Sequence, residues 1–188
     1  MPSGNGFITY SPDTRYGSNT VNGTLNSSWG QKFLLVEGNW EVTEIGIYVA
    51  STAGYTGILH LGIFTNDIVN NCPGILVDGS DTGELSHDTT TVTKINHSYS
   101  VKPLLTGEVG GTYFWLCHYY GNSYLYFDRI ATGGTTLYRT SGNTYPTWPT
   151  DTQWHTHYDS VYDTGIYAFY QPTSVGSKIV TGSMIQIG

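Results

Sequence analysis

The chain has 188 residues, of which 11% are charged, and its formal net charge is −7. This length suits one domain that buries a core without disulfides or a structural metal. The seven basic residues are scattered along the sequence, which argues against a nucleic-acid partner because phosphates are neutralised by clustered Lys and Arg. The scarcity of Lys and Glu disfavours long surface helices, whereas abundant Gly, Thr and Tyr favour short strands joined by turns.

The N-terminal segment, residues 1–28, is rich in Gly, Asn and Ser and too poor in apolar residues to build a core alone. We interpret it as an arm that is either a flexible leader or becomes ordered by docking on a neighbouring chain. Its start lacks the basic and apolar regions of a signal peptide, and no membrane span is expected, because no stretch reaches about 18 apolar residues. If the protein acts outside a cell, it arrives by trimming, by lysis or within a particle.

Residues 29–171 carry short runs of alternating or β-branched residues separated by turns, which predicts about nine strands and no amphipathic helix. The predicted strands are residues 31–36, 40–50, 58–65, 75–77, 89–95, 112–120, 124–128, 135–140 and 164–170. This number and spacing of strands are typical of an all-β protein. We therefore predict an antiparallel β-sandwich of the jelly-roll type.

The central strand of this prediction is residues 112–120, which follow a turn at Gly110 and Gly111. Its side chains alternate between two faces, with Tyr113, Trp115, Cys117 and Tyr119 on one and Phe114, Leu116, His118 and Tyr120 on the other. Neither face is clearly polar. We therefore expect both to be covered, one by a second sheet and the other by loops or by a partner.

An acidic loop follows the fourth predicted strand and contains Asp78, Asp81, Glu84 and Asp88. Carboxylates are the hard oxygen ligands that Ca²⁺ prefers, so these four residues are a candidate calcium site. Their spacing differs from an EF-hand, and a solvated acidic turn is the simpler interpretation. The segment His155, His157 and Asp159 likewise offers zinc or nickel ligands if it is extended. No cofactor is required by either pattern.

Catalytic motifs are not apparent, and we expect a protein that is not an enzyme. The acids fall in predicted turns instead of forming a pair across a groove. The sequence contains no Gly-x-Ser-x-Gly elbow, and no nucleophile motif surrounds Cys117. Whether Cys72 and Cys117 form a disulfide stays open, because free cysteines are also common in apolar cores.

Aromatic residues near strand ends and in loops are the stronger functional signal. Flat rings stack on sugar faces and amides bond sugar hydroxyls, but the same residue types are enriched in protein interfaces. The candidate ligand-binding residues are Tyr119, Tyr120, Asn122, Tyr124, Tyr145, Trp148, Trp154 and Tyr158. Both uses, glycan binding and protein contact, remain open at this point.

Several short motifs succeed one another between residues 30 and 171. They are Gln31-Lys32-Phe33, Ile45-Gly46-Ile47-Tyr48, Gly62-Ile63-Phe64-Thr65-Asn66, Pro73-Gly74-Ile75-Leu76-Val77, Gly111-Thr112-Tyr113-Phe114-Trp115-Leu116, and Tyr145-Pro146 followed by Gly165-Ile166-Tyr167-Ala168. In this order they resemble a loosely defined jelly-roll domain of phage structural proteins and bacterial surface proteins, similar to a carbohydrate-binding module. The resemblance implies a non-catalytic role in adhesion, glycan binding or virion architecture.

A single domain that begins at its own Met1 favours the virion role over the multidomain surface proteins. We therefore expect a capsid decoration or tail or head fibre type of protein, located in a virion or on an extracellular surface. Its expected partners are copies of itself, a trimer by analogy, together with other virion proteins or cell-surface glycans. Residues 172–188 form a tail in which Ile185 and Ile187 alternate with Gln186, a pattern suited to pairing with a sheet edge. The alternative is a monomeric carbohydrate-binding module.

Overall fold

The computed structural model describes residues 5–8, 20–22, 26–131, 137–140, 144–154, 158–159 and 162–173. This part of the chain consists of strands, turns and one helical turn, α1 (Asp151–Trp154). The strands are β1 (Asn5–Ile8), β2 (Thr20–Asn22), β3 (Ser28–Leu35), β4 (Gly38–Ser51), β5 (Gly57–Asp67), β6 (Cys72–Leu76), β7 (Leu85–His87), β8 (Thr93–Ser98), β9 (Leu104–Gly107), β10 (Thr112–Tyr120), β11 (Leu125–Ala131), β12 (Leu137–Thr140), β13 (Tyr158–Asp159), β14 (Tyr162–Thr164) and β15 (Ile166–Pro172). No helix in the described ranges is long and apolar enough to cross a membrane.

The strands form two antiparallel sheets. Sheet A has the order β1-β15-β4-β11-β14, with β2 on β11 and with β8 and β9 on β4. Sheet B has the order β13-β12-β3-β10-β5-β6, with β7 on β5. The chain changes sheet between β3 and β4, between β4 and β5, and again on either side of β10. The predicted fold class, an antiparallel β-sandwich, is confirmed, and this alternation agrees with a jelly roll.

The number of strands differs from the prediction. About nine were expected from periodicity, whereas the described residues contain fifteen. The additional strands are short, such as the three residues of β7 and the two of β13. Runs of this length contain too few residues to display an alternation, so backbone pairing alone defines them.

The predicted central strand is confirmed as β10, which pairs with β3 on one side and with β5 on the other. The face that carries Leu116 and Tyr120 points into the main core between the sheets. There Trp29 of sheet B packs edge-on against Phe127 of sheet A, with ring centroids 5.2 Å apart. The predicted turn before β10 is also present, and Gly111 occupies the left-handed region with φ of 92°.

Two buried polar groups lie in the main core. Oε1 of Gln31 in sheet B accepts hydrogen bonds from the backbone N–H and the hydroxyl of Thr164 in sheet A, at 2.9 and 2.8 Å. Nδ1 of His118 lies 2.8 Å from the hydroxyl of Tyr120. His118 is fully buried, and burial lowers its pKa to about 3, so its imidazole is neutral at ordinary pH.

Part of the predicted N-terminal arm lies in the chain's own sheet. Strand β1 pairs with β15, and β2 pairs with β11. These two segments therefore extend sheet A of their own chain. One of the two interpretations of the arm had been that it becomes ordered by docking on a neighbouring chain. The predicted C-terminal strand, with Ile185 and Ile187, lies outside the described residues.

Candidate functional site

The outer face of sheet B, which points away from the main core, carries a second and smaller apolar cluster. Its buried members are Phe64, Cys72, Trp115, Cys117 and Trp154. Residues 144–154, which we call the covering segment, lie over this face and contribute Trp148 and Trp154 to it. Both faces of β10 are therefore covered as predicted, one by sheet A and the other by a loop of the same chain.

The covering segment approaches the sheet closely because glycine occupies the middle of β5. A Cβ atom at Gly62 would lie 3.0 Å from the indole of Trp148. The Trp148 ring packs edge-on against Phe64, at 5.1 Å between centroids, and Trp154 contacts Phe64 at 5.9 Å. Absence of a side chain at this position thus allows the two indoles to close over the sheet.

Next to these indoles, polar and aromatic side chains from four parts of the chain converge. The members of this His60 cluster are His60, Asp81, Glu84, Tyr119, Tyr145 and Trp148. His60 on β5 and Tyr119 on β10 are cross-strand partners, so sheet register alone places them side by side. The covering segment supplies Tyr145 and Trp148, and the loop between β6 and β7 supplies the two acids.

The acidic loop is held against β5 by its small polar residues. The Ser80 hydroxyl accepts a hydrogen bond from the Ile63 N–H at 3.1 Å and donates one to the Ile63 carbonyl at 3.0 Å. Thr82 bonds the Leu61 N–H through its hydroxyl at 2.9 Å. The loop therefore runs beside the strand like an additional edge, which fixes the position of the intervening Asp81.

Asp81 forms the charged centre of the His60 cluster. Its Oδ1 lies 3.0 Å from Nδ1 of His60, which is 7% exposed. Because an ionised carboxylate only accepts hydrogen bonds, Nδ1 is the donor of this pair. Burial is the largest single influence and raises the pKa of Asp81. Several smaller effects, led by the hydrogen bonds from His60 and from the Gly83 N–H, together outweigh it, so that the carboxyl has a pKa below its ordinary value.

Tyr145 connects the two acids to the aromatic side chains. Its ring packs edge-on against His60 at 5.0 Å between centroids and contacts Tyr119 at 5.2 Å. Its hydroxyl donates to Oε2 of Glu84 at 3.3 Å. Burial and the neighbouring Glu84 carboxylate both raise the pKa of Tyr145, so the phenol stays protonated and keeps donating.

Tyr119 lies beneath Tyr145 and Trp148 and is fully buried. Its ring centroid is 5.7 Å from that of Trp148, and burial raises the pKa of Tyr119 to about 12. Within the described part of the chain, its hydroxyl has no hydrogen-bond partner. Leaving a buried phenol without a partner costs free energy.

The other predicted ligand-binding residues lie elsewhere. Tyr120 is fully buried in the main core and stacks on Phe127, and Trp154 is fully buried in the second cluster, so neither is accessible to a ligand. Asn122 braces the β10–β11 turn by accepting from the Tyr124 N–H at 3.2 Å, while the ring of Tyr124 stacks on Tyr55 at 4.3 Å. The side chain of Tyr158 lies outside the described part of the structure.

The four predicted calcium ligands do not converge. Asp81 is paired with His60 and Glu84 with Tyr145, whereas Asp78 and Asp88 are exposed. Among the described residues, no three His, Cys, Asp or Glu side chains are close enough together to hold a metal ion. The four acids therefore do not form one such group, and calcium binding by this loop stays a prediction. His155 and His157 lie outside the described residues.

The two cysteines are free thiols, buried in the second apolar cluster. Burial raises the pKa of Cys117 well above its ordinary value, and proximity to Cys72 adds to this effect. The Cys117 thiol is thus protonated and unreactive while it stays buried.

A second feature, at the other end of the outer face, is absent from the sequence-based prediction. Large apolar side chains are exposed there around a cleft of about 470 Å³. We call Leu34, Ile68, Ile75, Val109 and Tyr113 the apolar rim. Leu34 and Tyr113 are cross-strand partners, Ile68 and Tyr113 line the same cleft, and Ile68 and Ile75 line an adjoining depression. These relations place Leu34, Tyr113, Ile68 and Ile75 next to one another, and Val109 follows Glu108, which lines the cleft.

Neither models of known protein families nor curated proteins match this sequence. The fold and the sites together therefore define a class only: an antiparallel β-sandwich with a polar aromatic cluster and an apolar rim on one sheet.

Proposed function

We propose that this protein is a non-catalytic structural component of a virus or phage particle, of the capsid-decoration or tail or head fibre type. It acts through protein–protein assembly and through adhesion to surfaces. The apolar rim is the observation that supports this proposal. The resemblance of the motif order to jelly-roll domains of phage structural proteins gives the proposal its biological setting.

The exposure of the rim residues is high for their size and character. Ile68 is 87% exposed, Val109 is 85% exposed and Ile75 is 76% exposed. Single exposed apolar residues are ordinary, but a contiguous group is typical of a surface that contacts another molecule. Few charges interrupt the cleft that the rim surrounds, since Lys32 and Glu108 are the charged residues among those that line it.

The assembly proposal is tested by light scattering over a range of protein concentrations. We expect the wild type to form a homo-oligomer, and Val109→Asp and Ile75→Asp to shift it to the monomer. Val101→Asp is a matched control, because Val101 is 81% exposed but lies beside sheet A in the β8–β9 connection. A wild type that is monomeric throughout, or rim variants that assemble like Val101→Asp, would contradict the proposal.

Carbohydrate binding is a second candidate function, favoured by the His60 cluster. Tyr145 and Trp148 are only partly buried and stand beside the carboxylates of Asp81 and Glu84. Rings and carboxylates in this arrangement are suited to a sugar, which offers apolar faces and donating hydroxyls.

A glycan array with wild type, Glu84→Gln and Tyr145→Phe tests this second function. Both substitutions keep the approximate size of the side chain. Tyr145→Phe removes the donor of the Tyr145–Glu84 hydrogen bond, and Glu84→Gln replaces the charged acceptor by a neutral amide. We expect bound glycans to lose affinity in both variants. Binding that neither substitution changes would exclude the His60 cluster as the sugar site.

A further inference from the structure

The cleft inside the apolar rim contains a lysine without an acidic partner. Lys32 extends over the ring of Tyr113, with its Nζ 4.2 Å from the ring centroid, and donates a hydrogen bond to Oδ1 of Asn71. No described carboxylate lies within ion-pairing distance of this amine. By contrast, Lys102 pairs with Glu41 at 3.4 Å, and Lys94 pairs with a glutamate at 3.7 Å.

Hydrogen-bond donors converge around this amine. Oδ1 of Asn66 accepts a hydrogen bond from the Trp115 indole at 2.9 Å, which orients the Asn66 amide so that its Nδ2 group is the remaining donor. The Asn71 amide is oriented in the same way, because its Oδ1 accepts a hydrogen bond from Lys32 and its Nδ2 group is the remaining donor. Three donor groups with spare N–H bonds, one of them cationic, thus line one cleft.

The rest of the cleft lining contains one acidic residue and apolar surface. Glu108 is the acidic residue of the lining, and Ile68 and Tyr113 contribute apolar surface. The volume, about 470 Å³, lies in the range of small-molecule sites and accommodates one or two sugar rings. Burial lowers the pKa of Lys32, which reflects a partly desolvated amine that a bound anion would compensate.

We propose that this cleft binds a sugar that carries a carboxylate, with Lys32, Asn66 and Asn71 as donors to the carboxylate and ring oxygens. Glu108 then accepts from a ring hydroxyl, and Tyr113 and Ile68 contact the apolar edges of the ring. An acidic peptide fits less well, because β5 and β10, which both line the cleft, are each paired on both sides and offer a peptide backbone no strand edge. The site goes beyond the proposed assembly role but shares Ile68 and Tyr113 with the apolar rim, so that a bound sugar and a second copy of the chain exclude each other there. It is separate from the His60 cluster.

The experiment is an NMR titration of the ¹⁵N-labelled full chain carrying Val109→Asp, which keeps the protein monomeric and changes no residue of the cleft lining. The ligands are glucuronate, galacturonate and N-acetylneuraminate. Glucose and galactose serve as neutral counterparts of the two uronates, and N-acetyl-glutamate amide as an acidic peptide mimic. We expect saturable shifts at Lys32, Asn66 and Gly111 with at least one acidic sugar. Comparable binding of the neutral sugars or of the peptide mimic would overturn the proposal, as would the lack of saturable shifts with all three acidic sugars.

Variants of the lysine then test the charge. Lys32→Met should weaken binding by about tenfold or more, the scale of one charge-assisted hydrogen bond, while Lys32→Arg should retain most of the affinity. Lys102→Met is the control, because it removes the same type of charge from the β8–β9 connection beside sheet A, away from the cleft. Equal affinity of Lys32→Met and wild type would refute the role of the amine. A change in solution mass on Lys32→Met would assign the cleft to assembly and would also overturn the proposal.

Discussion

Truncation of Trp154 to alanine should open the outer face of sheet B while leaving the sandwich folded. Trp154 is fully buried and packs against Phe64 within the second apolar cluster. Buried Trp→Ala substitutions cost about 3–5 kcal/mol. We expect the lower end here, because the covering segment lies at the surface and can relax around the lost ring. A domain stabilised by about 5–15 kcal/mol retains its fold after such a loss.

The two free cysteines provide the assay, since both lie beneath the covering segment. A thiol reagent added under native conditions reacts only when the segment opens. Each 1.4 kcal/mol corresponds to about a tenfold change in the equilibrium between the closed and the open segment. A loss of about 3 kcal/mol in the stability of the closed segment should therefore accelerate labelling by about 100-fold. Tyr124→Ala is the control, because this partly exposed ring lies outside the cluster. Equal labelling rates in wild type and Trp154→Ala would refute the idea that this segment shields the thiols.

Three further predictions concern stability, each measured by urea unfolding. Burial lowers the pKa of His118 to about 3, so on acidification this histidine is protonated in the unfolded chain before it is protonated in the folded protein. The free energy of unfolding should therefore fall as pH drops from about 6.5, by up to about 1.4 kcal/mol per pH unit. His118→Phe should flatten this slope. The lowered pKa of Asp81 means that its ionised carboxylate stabilises the fold above about pH 4, and this contribution is lost as pH falls through the folded pKa. Asp81→Asn should therefore lower the stability above about pH 4 and weaken its decline on acidification. Gly111→Ala should cost more than Gly110→Ala, by about 1 kcal/mol, because both have positive φ but a Cβ at Gly111 would lie 2.8 Å from Leu34.

The sheet architecture could be predicted because it depends on local patterns. Alternation along residues 112–120 identified the central strand, and the paired glycines before it identified the turn. The inner face of β10 could not be chosen from the sequence, since both faces are aromatic. For this reason Tyr119 and Tyr120 were equal candidates, although the structure places Tyr120 in the main core and Tyr119 in the His60 cluster.

The composition of the His60 cluster was predictable only in part. From the sequence, Asp81 and Glu84 were predicted as metal ligands, whereas Tyr145 and Trp148 were predicted as aromatic residues that stack on a ligand. Their common neighbour His60 was missed, because a lone histidine between two leucines of a strand carries no signal of its own. Its partner Asp81 is 21 residues away, and only the loop bonds to β5 bring the two together.

Lys32 and its cleft were also missed, for a different reason. In the sequence Lys32 is one of seven scattered basic residues, and nothing local distinguishes it from Lys102. The distinction arises from tertiary structure, which gives Lys102 a glutamate partner and gives Lys32 an aromatic ring and an amide.

The central claim, that the apolar rim is the contact surface of the assembled protein, is tested most directly by hydroxyl-radical footprinting. Modification is compared between the protein at assembling concentration and the Val109→Asp monomer. We predict that Ile68, Ile75 and Tyr113 are protected on assembly, while exposed residues away from the rim, Tyr55 and Val101, react equally in both states. Protection of Tyr55 or Val101 together with an unprotected rim would contradict this account.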